Sequence, residues 1–223
     1  MHNILLIFLA AILLAVLLHY ENNEDRRGGL AAKAVLSFLF VLVAIVQPHP
    51  IPGYYHRLLP GLVLCLGGDI CLALPQKRMF LIGLVLFLFG HVFYIFAFLY
   101  LTETNSWTWM GSLVLLALSG FVYVWLKPHL GSMKTPVLLY IIVITTMVAG
   151  AWAVLGDSNL TRLGRIMVFA GALSFYCSDV LVARDRFLKR EFFNRLVGLP
   201  MYYAGQFVLA FSVGLLSDLG DIP

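Results

Sequence analysis

Residues 79–101 read MFLIGLVLFLFGHVFYIFAFLYL, an apolar run of 23 residues without a charged side chain. A helix of about 20 apolar residues is long enough to cross the roughly 30 Å hydrocarbon core of a bilayer. Because lipid offers no hydrogen-bond partners to the backbone, a spanning segment must satisfy its polar groups internally. The run therefore predicts a transmembrane α-helix.

Seven further apolar runs of similar length occur along the chain. Together with the first they predict spans at about 3–20, 30–47, 57–74, 79–101, 107–126, 135–155, 161–182 and 196–216. The segments between them are short and carry turn-forming or charged residues, and none is long enough to separate two domains. The predicted fold is all-α: a polytopic membrane protein of about eight transmembrane helices in one bundle, with residues 1–223 as a single domain.

The composition agrees with a membrane protein. Hydrophobic residues make up 61% of the chain and charged residues 12%, whereas a soluble domain carries about 25% charged residues. The net charge of +4 is scattered between the spans, which favours anchoring at the membrane surface and argues against nucleic-acid binding. Three cysteines, Cys65, Cys71 and Cys177, lie in apolar runs and are predicted to be packing residues without a disulfide.

The first apolar run has an alternative interpretation as a secretory signal peptide. It lacks a basic segment before the run, and no small-x-small cleavage site follows it closely. We therefore predict a retained transmembrane helix.

Lysine and arginine residues between the spans are unevenly distributed. Eleven fall on one predicted side and three on the other, with Lys33 set aside because it lies inside a span. The larger group contains Arg26, Arg27, Lys77, Arg78, Lys127, Lys134, Arg184, Arg186, Lys189, Arg190 and Arg195. Because basic residues accumulate on the cytoplasmic side, this bias predicts that both termini lie on the opposite side. The membrane would be the inner membrane in a bacterium or the endoplasmic reticulum in a eukaryote.

Two short motifs recur four helices apart. GDICLA begins at Gly68 and SDVLVA at Ser178, each near the cytoplasmic end of a predicted outside-to-inside helix. Each motif is followed about 22–24 residues later by two polar residues three positions apart. The pairs are His91 with Tyr94 and Tyr203 with Gln206. Since an offset of four helices preserves orientation, the motifs predict a parallel 4+4 repeat, with a chance match as the alternative.

Few ionisable side chains lie inside the predicted spans. Each costs roughly 2.5–3.5 kcal/mol to insert, so each is a candidate functional residue. They are Lys33, Asp69, His91 and Asp179, with Tyr94, Tyr123, Tyr140, Ser178, Tyr202, Tyr203 and Gln206 as polar neighbours. At about 1.5 Å of rise per residue, all fall in the cytoplasmic half of the membrane or at its upper limit. This common depth predicts one polar cavity that opens inward.

Structural roles are the alternative for each of these residues. Lys33 could extend to the membrane surface, and Asp179 could pair with Arg184 or Arg186. A lone histidine on an apolar helix such as His91 is often a hydrogen-bonded packing residue. Asp69 is the hardest to explain in this way, because its neighbours are apolar and no cation is adjacent in the sequence.

The same motifs resemble the YhhN-like lysoplasmalogenase family. The resemblance rests on the stretch from Gly67 to Phe98, on GALSFYCSD at 171–179 and on YYAGQ at 202–206. Lys33, the segment SGFVY at 119–123 and Lys127-Pro128 also fit, in matching order over nearly the whole chain. The resemblance implies a membrane hydrolase that cleaves the vinyl ether of lysoplasmalogen, a lysophospholipid, to a fatty aldehyde and a glycerophospho-base.

Vinyl ether hydrolysis requires protonation of the β-carbon and capture of an oxocarbenium ion by water. Glycosidases meet a similar cation with two carboxyl groups. An apolar setting disfavours an ionised carboxyl group, so Asp69 is the candidate acid, and Asp179 is the candidate base or cation stabiliser. His91 is the third candidate catalytic residue, and with Tyr94 it would hold the hemiacetal oxygen or orient water. The candidate substrate-binding residues are Lys33, which would meet the phosphate, Tyr94, Tyr123, Tyr140, Ser178, Tyr203 and Gln206.

No cofactor or metal is implied, since one histidine and two aspartates make a poor ligand set. The sequence also lacks a Gly-rich phosphate loop and the Gly-x-Ser-x-Gly elbow of serine hydrolases. A lipid carrier or proton-coupled transporter is the main alternative, because intramembrane aspartate and histidine also form proton relays. An alternating-access carrier needs a polar route through the outer halves of the spans, which are almost wholly apolar.

Overall fold

The computed structural model describes residues 2–103 and 106–217, and within these ranges the regular structure is helical. The helices are α1 His2–Asn22, α2 Arg26–Val46, α3 Pro52–Ala73, α4 Lys77–Leu101, α5 Ser106–Leu126, α6 Lys134–Gly156, α7 Arg162–Ala183 and α8 Phe192–Leu215. All eight are long and apolar enough to cross a membrane. The prediction of an all-α, polytopic membrane protein is confirmed.

Three helices begin four or five residues before the predicted spans, and local chemistry explains two of these starts. Helix α2 begins early because Asp25 caps it: its Oδ1 accepts from the backbone N–H groups of Arg27 at 3.0 Å and Gly28 at 3.1 Å. Helix α3 begins at Pro52, whose missing N–H costs nothing in a first turn. Helix α8 begins at Phe192, so Arg195 lies inside its first turn.

Contacts between the helices repeat with a period of four. The pairs α1–α2, α2–α3 and α3–α4 have counterparts in α5–α6, α6–α7 and α7–α8, and the pair α2–α8 has its counterpart in α6–α4. A parallel duplication would produce this pattern. The internal repeat itself stays a prediction.

The pairs α3–α4 and α7–α8 pack closely enough to exclude side chains at some positions. A Cβ atom at Gly61 would lie 2.9 Å from the carbonyl oxygen of Gly90, and one at Gly205 would lie 2.8 Å from that of Gly171. Small residues allow this backbone approach between membrane helices. Because α3 and α7 carry the two intramembrane aspartates, the close pairs determine where those side chains lie.

Large side chains at the centre of the bundle are buried, and those on its periphery are mostly apolar and exposed. Phe40, Tyr94, Phe98 and Phe175 are fully buried in the central core. Helices α1 and α5 lie at the edge and expose large apolar side chains, as expected of surfaces that contact lipid.

Candidate active site

A cavity of about 700 Å³ opens at the end of the bundle where α1 ends and α2 begins. Each of the eight helices contributes to its wall. The lining includes Tyr20 and Glu21 (α1), Lys33 (α2), Asp69 (α3), Phe80 (α4), Val122 (α5), Tyr140 (α6), Asp179 (α7), and Arg195 and Tyr202 (α8). The open end carries most of the basic residues between the helices, so it corresponds to the predicted cytoplasmic face.

Asp69 is buried in the cavity wall, with 6% of its surface exposed. Its Oδ2 accepts two hydrogen bonds of 2.6 Å, from the hydroxyl of Ser37 on α2 and from the hydroxyl of Tyr202 on α8. Oδ1 has no hydrogen-bond partner in the described part of the chain and is not enclosed by it. One oxygen is therefore held by the protein and the other is free to meet a ligand.

Asp179 lies in the same cavity wall, on α7. Its Oδ2 accepts a hydrogen bond of 2.5 Å from the hydroxyl of Tyr140 on α6. Asp179 does not pair with Arg184 or Arg186, which was the structural alternative. Arg184 bonds to Glu191, and Arg186 lies over the ring of Phe80.

His91 is fully buried in α4 and lies outside the cavity lining. Its ring contacts those of Phe175 and Tyr140 edge-on, with centroids 4.5 and 5.4 Å away. Neither ring nitrogen has a hydrogen-bond partner of good geometry among the described residues, although the Phe87 carbonyl approaches from one turn earlier. The structure thus brings the two predicted aspartates together at the cavity and places the predicted histidine behind Tyr140.

A chain of buried polar side chains supports Asp69 from behind. The hydroxyl of Tyr94 donates to Oε1 of Gln206 at 2.7 Å, and Nε2 of Gln206 donates to the Tyr202 hydroxyl at 3.3 Å. The hydroxyl of Tyr203 lies 3.3 Å from that of Ser37. Of the predicted substrate-binding residues, Tyr94, Tyr203 and Gln206 therefore act on the cavity through Ser37 and Tyr202.

Two other predicted substrate-binding residues lie away from the cavity. The Ser178 hydroxyl is buried and donates to the carbonyl oxygen of Phe175 at 2.7 Å. Tyr123 packs against a small separate core of Leu126, Leu130 and Val137. Neither side chain lines the cavity.

Charged residues at the cavity mouth were missed by sequence reasoning. Glu21 forms ion pairs with Lys33 at 2.8 Å and with Arg195 at 3.0 Å. Glu21 and Arg195 lie 174 positions apart, at opposite ends of the chain, so no local pattern pairs them. Ser37 was also missed, although its position one helical turn after Lys33 places both residues on one face of α2.

The segment between α7 and α8 is ordered by its own charged network at the mouth. Arg184 bonds to Asn194 and Glu191, and the Asp185 carboxylate accepts from Asn194 at 3.1 Å. Lys189 pairs with Glu191 at 2.5 Å. The hydrogen bond from Lys189 holds the pKa of the Glu191 carboxyl below its usual value. The rim of the cavity therefore has a defined shape.

No group of three or more histidine, cysteine or carboxylate side chains within residues 2–103 and 106–217 is placed to hold a metal ion. The chemistry open to the described residues is that of paired carboxyl groups, tyrosine hydroxyls and cations.

Fold and site together define a multi-pass membrane protein with two carboxyl groups in the wall of one internal cavity. Comparison with known proteins narrows this class. The model of the YhhN family matches residues 28–213, and the chain belongs to that family. Helix α1, with Glu21, precedes the matched region.

The relatives of the chain include bacterial and mammalian proteins. It is 31% identical over 180 residues to the lysoplasmalogenase of Mycobacterium bovis, covering 78% of this chain and 64% of that protein. It is 30% identical over 190 residues to rat lysoplasmalogenase TMEM86B, covering 85% and 75%. It is 30% identical over 161 residues to human lysoplasmalogenase TMEM86A, covering 70% and 64%. The match thus spans less than two thirds of the mycobacterial and human proteins, and no solved structure matches the chain.

Proposed function

We propose that this protein hydrolyses the vinyl ether bond of lysoplasmalogen to a fatty aldehyde and a glycerophospho-base, in a cavity in the cytoplasmic half of the membrane. The observation that carries the proposal is the presence of Asp69 and Asp179 in one cavity wall, each bonded to a tyrosine hydroxyl. The names of its relatives support the choice of substrate.

The cavity suits a lipid with one chain. Its volume of about 700 Å³ lies within the roughly 300–1,000 Å³ of typical ligand sites. Charged residues of α1, α2 and α8 line one part of the wall, and apolar residues line another part. The apolar lining residues on α4, α5 and α6 include Phe80, Leu84, Val122, Leu126, Val137, Ile141 and Ile144. A polar headgroup would contact the former and the alkenyl chain the latter.

Asp69 supplies the proton in the first step. In a neutral carboxyl group the carbonyl oxygen accepts hydrogen bonds and the other oxygen carries the proton. Oδ2 of Asp69 takes the accepting role towards Ser37 and Tyr202, which leaves the proton on Oδ1. Transfer of this proton to the β-carbon consumes the C=C π pair and leaves an oxocarbenium ion at the ether carbon.

Asp179 acts in the second step as the carboxylate. Its negative charge stabilises the oxocarbenium ion, and it accepts a proton from the water that attacks the ether carbon. The product is a hemiacetal. Its bond to the glycerol oxygen then breaks as the hemiacetal hydroxyl loses its proton and the glycerol oxygen gains one, which releases the aldehyde and the glycerophospho-base. The proton on Asp179 returns to Asp69, so the net reaction adds one water. Tyr140 orients Asp179, and Lys33 binds the lipid phosphate.

A lipid or proton-coupled transporter is the competing function. It would also use acidic groups in a membrane cavity. The polar residues of the described cavity lie towards one end of the bundle, whereas a carrier needs a polar route to the other end as well. A small pocket at that other end, lined by Leu155, Arg162, Arg165 and Ile166, shares no wall residue with the cavity.

Purified protein incubated with lysoplasmalogen distinguishes these functions. We expect aldehyde release from the vinyl ether and none from the saturated alkyl ether, which cannot form the oxocarbenium ion by protonation. The double variant D69N/D179N should be inactive, while Asp157→Asn, a carboxylate outside the cavity, should match the native protein. Lipid translocation in vesicles without any aldehyde would favour the transporter and defeat the proposal.

A further inference from the structure

We infer that Lys33 and Arg195, joined by Glu21, form a binding site for the phosphodiester of a lipid headgroup in the cavity wall. The inference deepens the proposed function, because it assigns the headgroup of the same substrate class to particular side chains. It adds two residues, Glu21 and Arg195, to the single cation that the sequence indicated.

Three helices meet at this site. Glu21 lies at the end of α1, Lys33 in the second turn of α2 and Arg195 in the first turn of α8. Oε1 of Glu21 lies 2.8 Å from Nζ of Lys33, and Oε2 lies 3.0 Å from Nη1 of Arg195. The same Nη1 donates to the backbone carbonyl of Glu21 at 3.3 Å. All three residues line the cavity.

The charges of the three residues do not balance. Two cations share one carboxylate, which leaves one excess positive charge. The side chains of Glu21, Lys33 and Arg195 are only 16%, 16% and 20% exposed, so water compensates that charge poorly. A phosphodiester carries one negative charge and would neutralise the cluster. If Glu21 were the only anion at this site, one cation would be enough to neutralise its carboxylate.

Hydrogen-bond donors at the site outnumber their acceptors. A lysine ammonium has three donors and an arginine guanidinium five. Lys33 uses one on Glu21, and Arg195 uses Nη1 alone. Nε of Arg195 is buried with no partner in the described structure. The donors left on Nζ of Lys33 and on Nη2 of Arg195 have no partner among the described residues and are not enclosed by them. They are therefore open to an acceptor with several oxygens, and phosphate is the acceptor that arginine and lysine commonly bind.

A purely structural clamp is the competing explanation. Helix α1 packs against α2 and α8, and ion pairs from Glu21 to both would hold it there. A clamp would stabilise the fold equally for every ligand, whereas a phosphate site would affect only ligands that carry phosphate. The two explanations therefore differ in ligand selectivity.

The test measures equilibrium binding of two uncleavable lipids to the full-length protein in detergent. One is the saturated alkyl-ether lysophospholipid, and the other is the matching 1-alkylglycerol, which lacks the phosphate. The variant E21Q/K33Q/R195Q removes all three charges, leaves none unpaired and keeps amide groups that can bond to one another. We expect its Kd for the lysophospholipid to rise by about tenfold or more, as for lost charge-assisted hydrogen bonds. Its Kd for the alkylglycerol should not change.

Two further variants make the test robust. Lys33→Gln leaves the pair of Glu21 and Arg195 intact, so it should fold and weaken lysophospholipid binding in the same selective way. Lys127→Gln removes an exposed cation outside the cavity and should bind both lipids as the native protein does.

Three results would overturn the inference. The first is an unchanged Kd of the triple variant for the lysophospholipid, and the second is an equal rise in its Kd for both lipids. The third is inorganic phosphate binding to the native protein as tightly as the lysophospholipid does, which would assign the site to free phosphate. The outcome does not depend on catalysis, because neither lipid is cleaved. Selective binding without any aldehyde release would refute the proposed hydrolase and leave the phosphate site standing.

Discussion

Replacing either aspartate by asparagine is predicted to lower the rate of vinyl ether hydrolysis, for a different reason in each case. Asp69→Asn keeps the shape of the side chain and loses the acidic proton, so kcat should fall by about 10²-fold or more. KM should change little, since proton delivery matters in the transition state and hardly in lipid binding. Asp179→Asn removes a negative charge beside the developing cation and should also be severe. Rates of aldehyde release at saturating and at limiting substrate concentrations give kcat and kcat/KM for both variants.

Two outcomes for these variants would contradict the assigned roles. Near-native turnover of Asp69→Asn together with an inactive Asp179→Asn would reverse the two roles. Activity in both, with intact folding, would make the carboxyl groups structural.

Tyr202 is predicted to act through Asp69. It donates one of the two hydrogen bonds that hold Oδ2 of Asp69, so Tyr202→Phe should misalign the acid and lower kcat by about tenfold, with little change in KM. Tyr100→Phe, on an exposed tyrosine near the end of α4, is the control and should not alter turnover. A Tyr202→Phe variant with native kcat would show that Ser37 alone positions Asp69.

His91 is predicted to act through Tyr140, whose ring it contacts edge-on and whose hydroxyl bonds to Asp179. Its ring is fully buried, and neither nitrogen has a good hydrogen bond in the described structure. Because an unsatisfied buried polar group is unfavourable, His91→Phe should keep or raise the thermal midpoint while it lowers kcat by about tenfold or more. Thermal unfolding and aldehyde release on the same preparation measure the two effects. Higher stability with native turnover would identify His91 as a packing residue.

Some residues of the site can be identified from the sequence, and others cannot. Asp69 and Asp179 could be selected because a charge inside an apolar span is conspicuous at any rotation of its helix. Tyr140 and Tyr202 were named among the polar neighbours, but not as partners of the aspartates, and Ser37 was not selected, since serine and tyrosine are common in membrane helices. Only the packing of α2 and α8 against α3 brings Ser37 and Tyr202 to the same oxygen of Asp69.

The close packing of α7 against α8 predicts that a larger side chain at their contact is destabilising. Gly205→Ala would place a methyl group 2.8 Å from the Gly171 carbonyl oxygen, so α7 and α8 must separate. The cost should be about 1–3 kcal/mol of stability, with loss of activity because Asp179 and Tyr202 lie on these helices. Gly120→Ala is the control: nothing lies within 4 Å of its Cβ position, and alanine favours helix. Equal thermal midpoints for the two variants would contradict the tight pairing.

Helix positions were predictable from the sequence, whereas some helix starts were not. A span of about 20 apolar residues is a local property that composition reveals directly. The starts of α2 and α3 depend instead on Asp25 as a cap and on Pro52 in a first turn. In a charged or proline-rich segment these residues are equally typical of a loop, so the predicted spans began too late.

The cavity is a property of the whole molecule. All eight helices contribute to its wall, so no segment of the sequence contains it. The common depth of the polar residues predicted that such a space exists. Which part of its wall is charged and which is apolar depends on how each helix is rotated about its axis. Glu21 and Arg195 illustrate this, because they meet only when α1 and α8 pack side by side.

Orientation in the membrane is the last prediction, and the basic residues decide it. The eleven-to-three bias places the cavity mouth and the segment 184–191 on the cytoplasmic side, with both termini opposite. A variant with Cys65, Cys71 and Cys177 replaced by alanine gives a background for single cysteines at exposed positions. In right-side-out vesicles an impermeant maleimide should label Asn159→Cys and spare Arg190→Cys, and detergent should expose both. Labelling of Arg190→Cys in sealed vesicles would invert the topology and move the substrate entrance to the other leaflet.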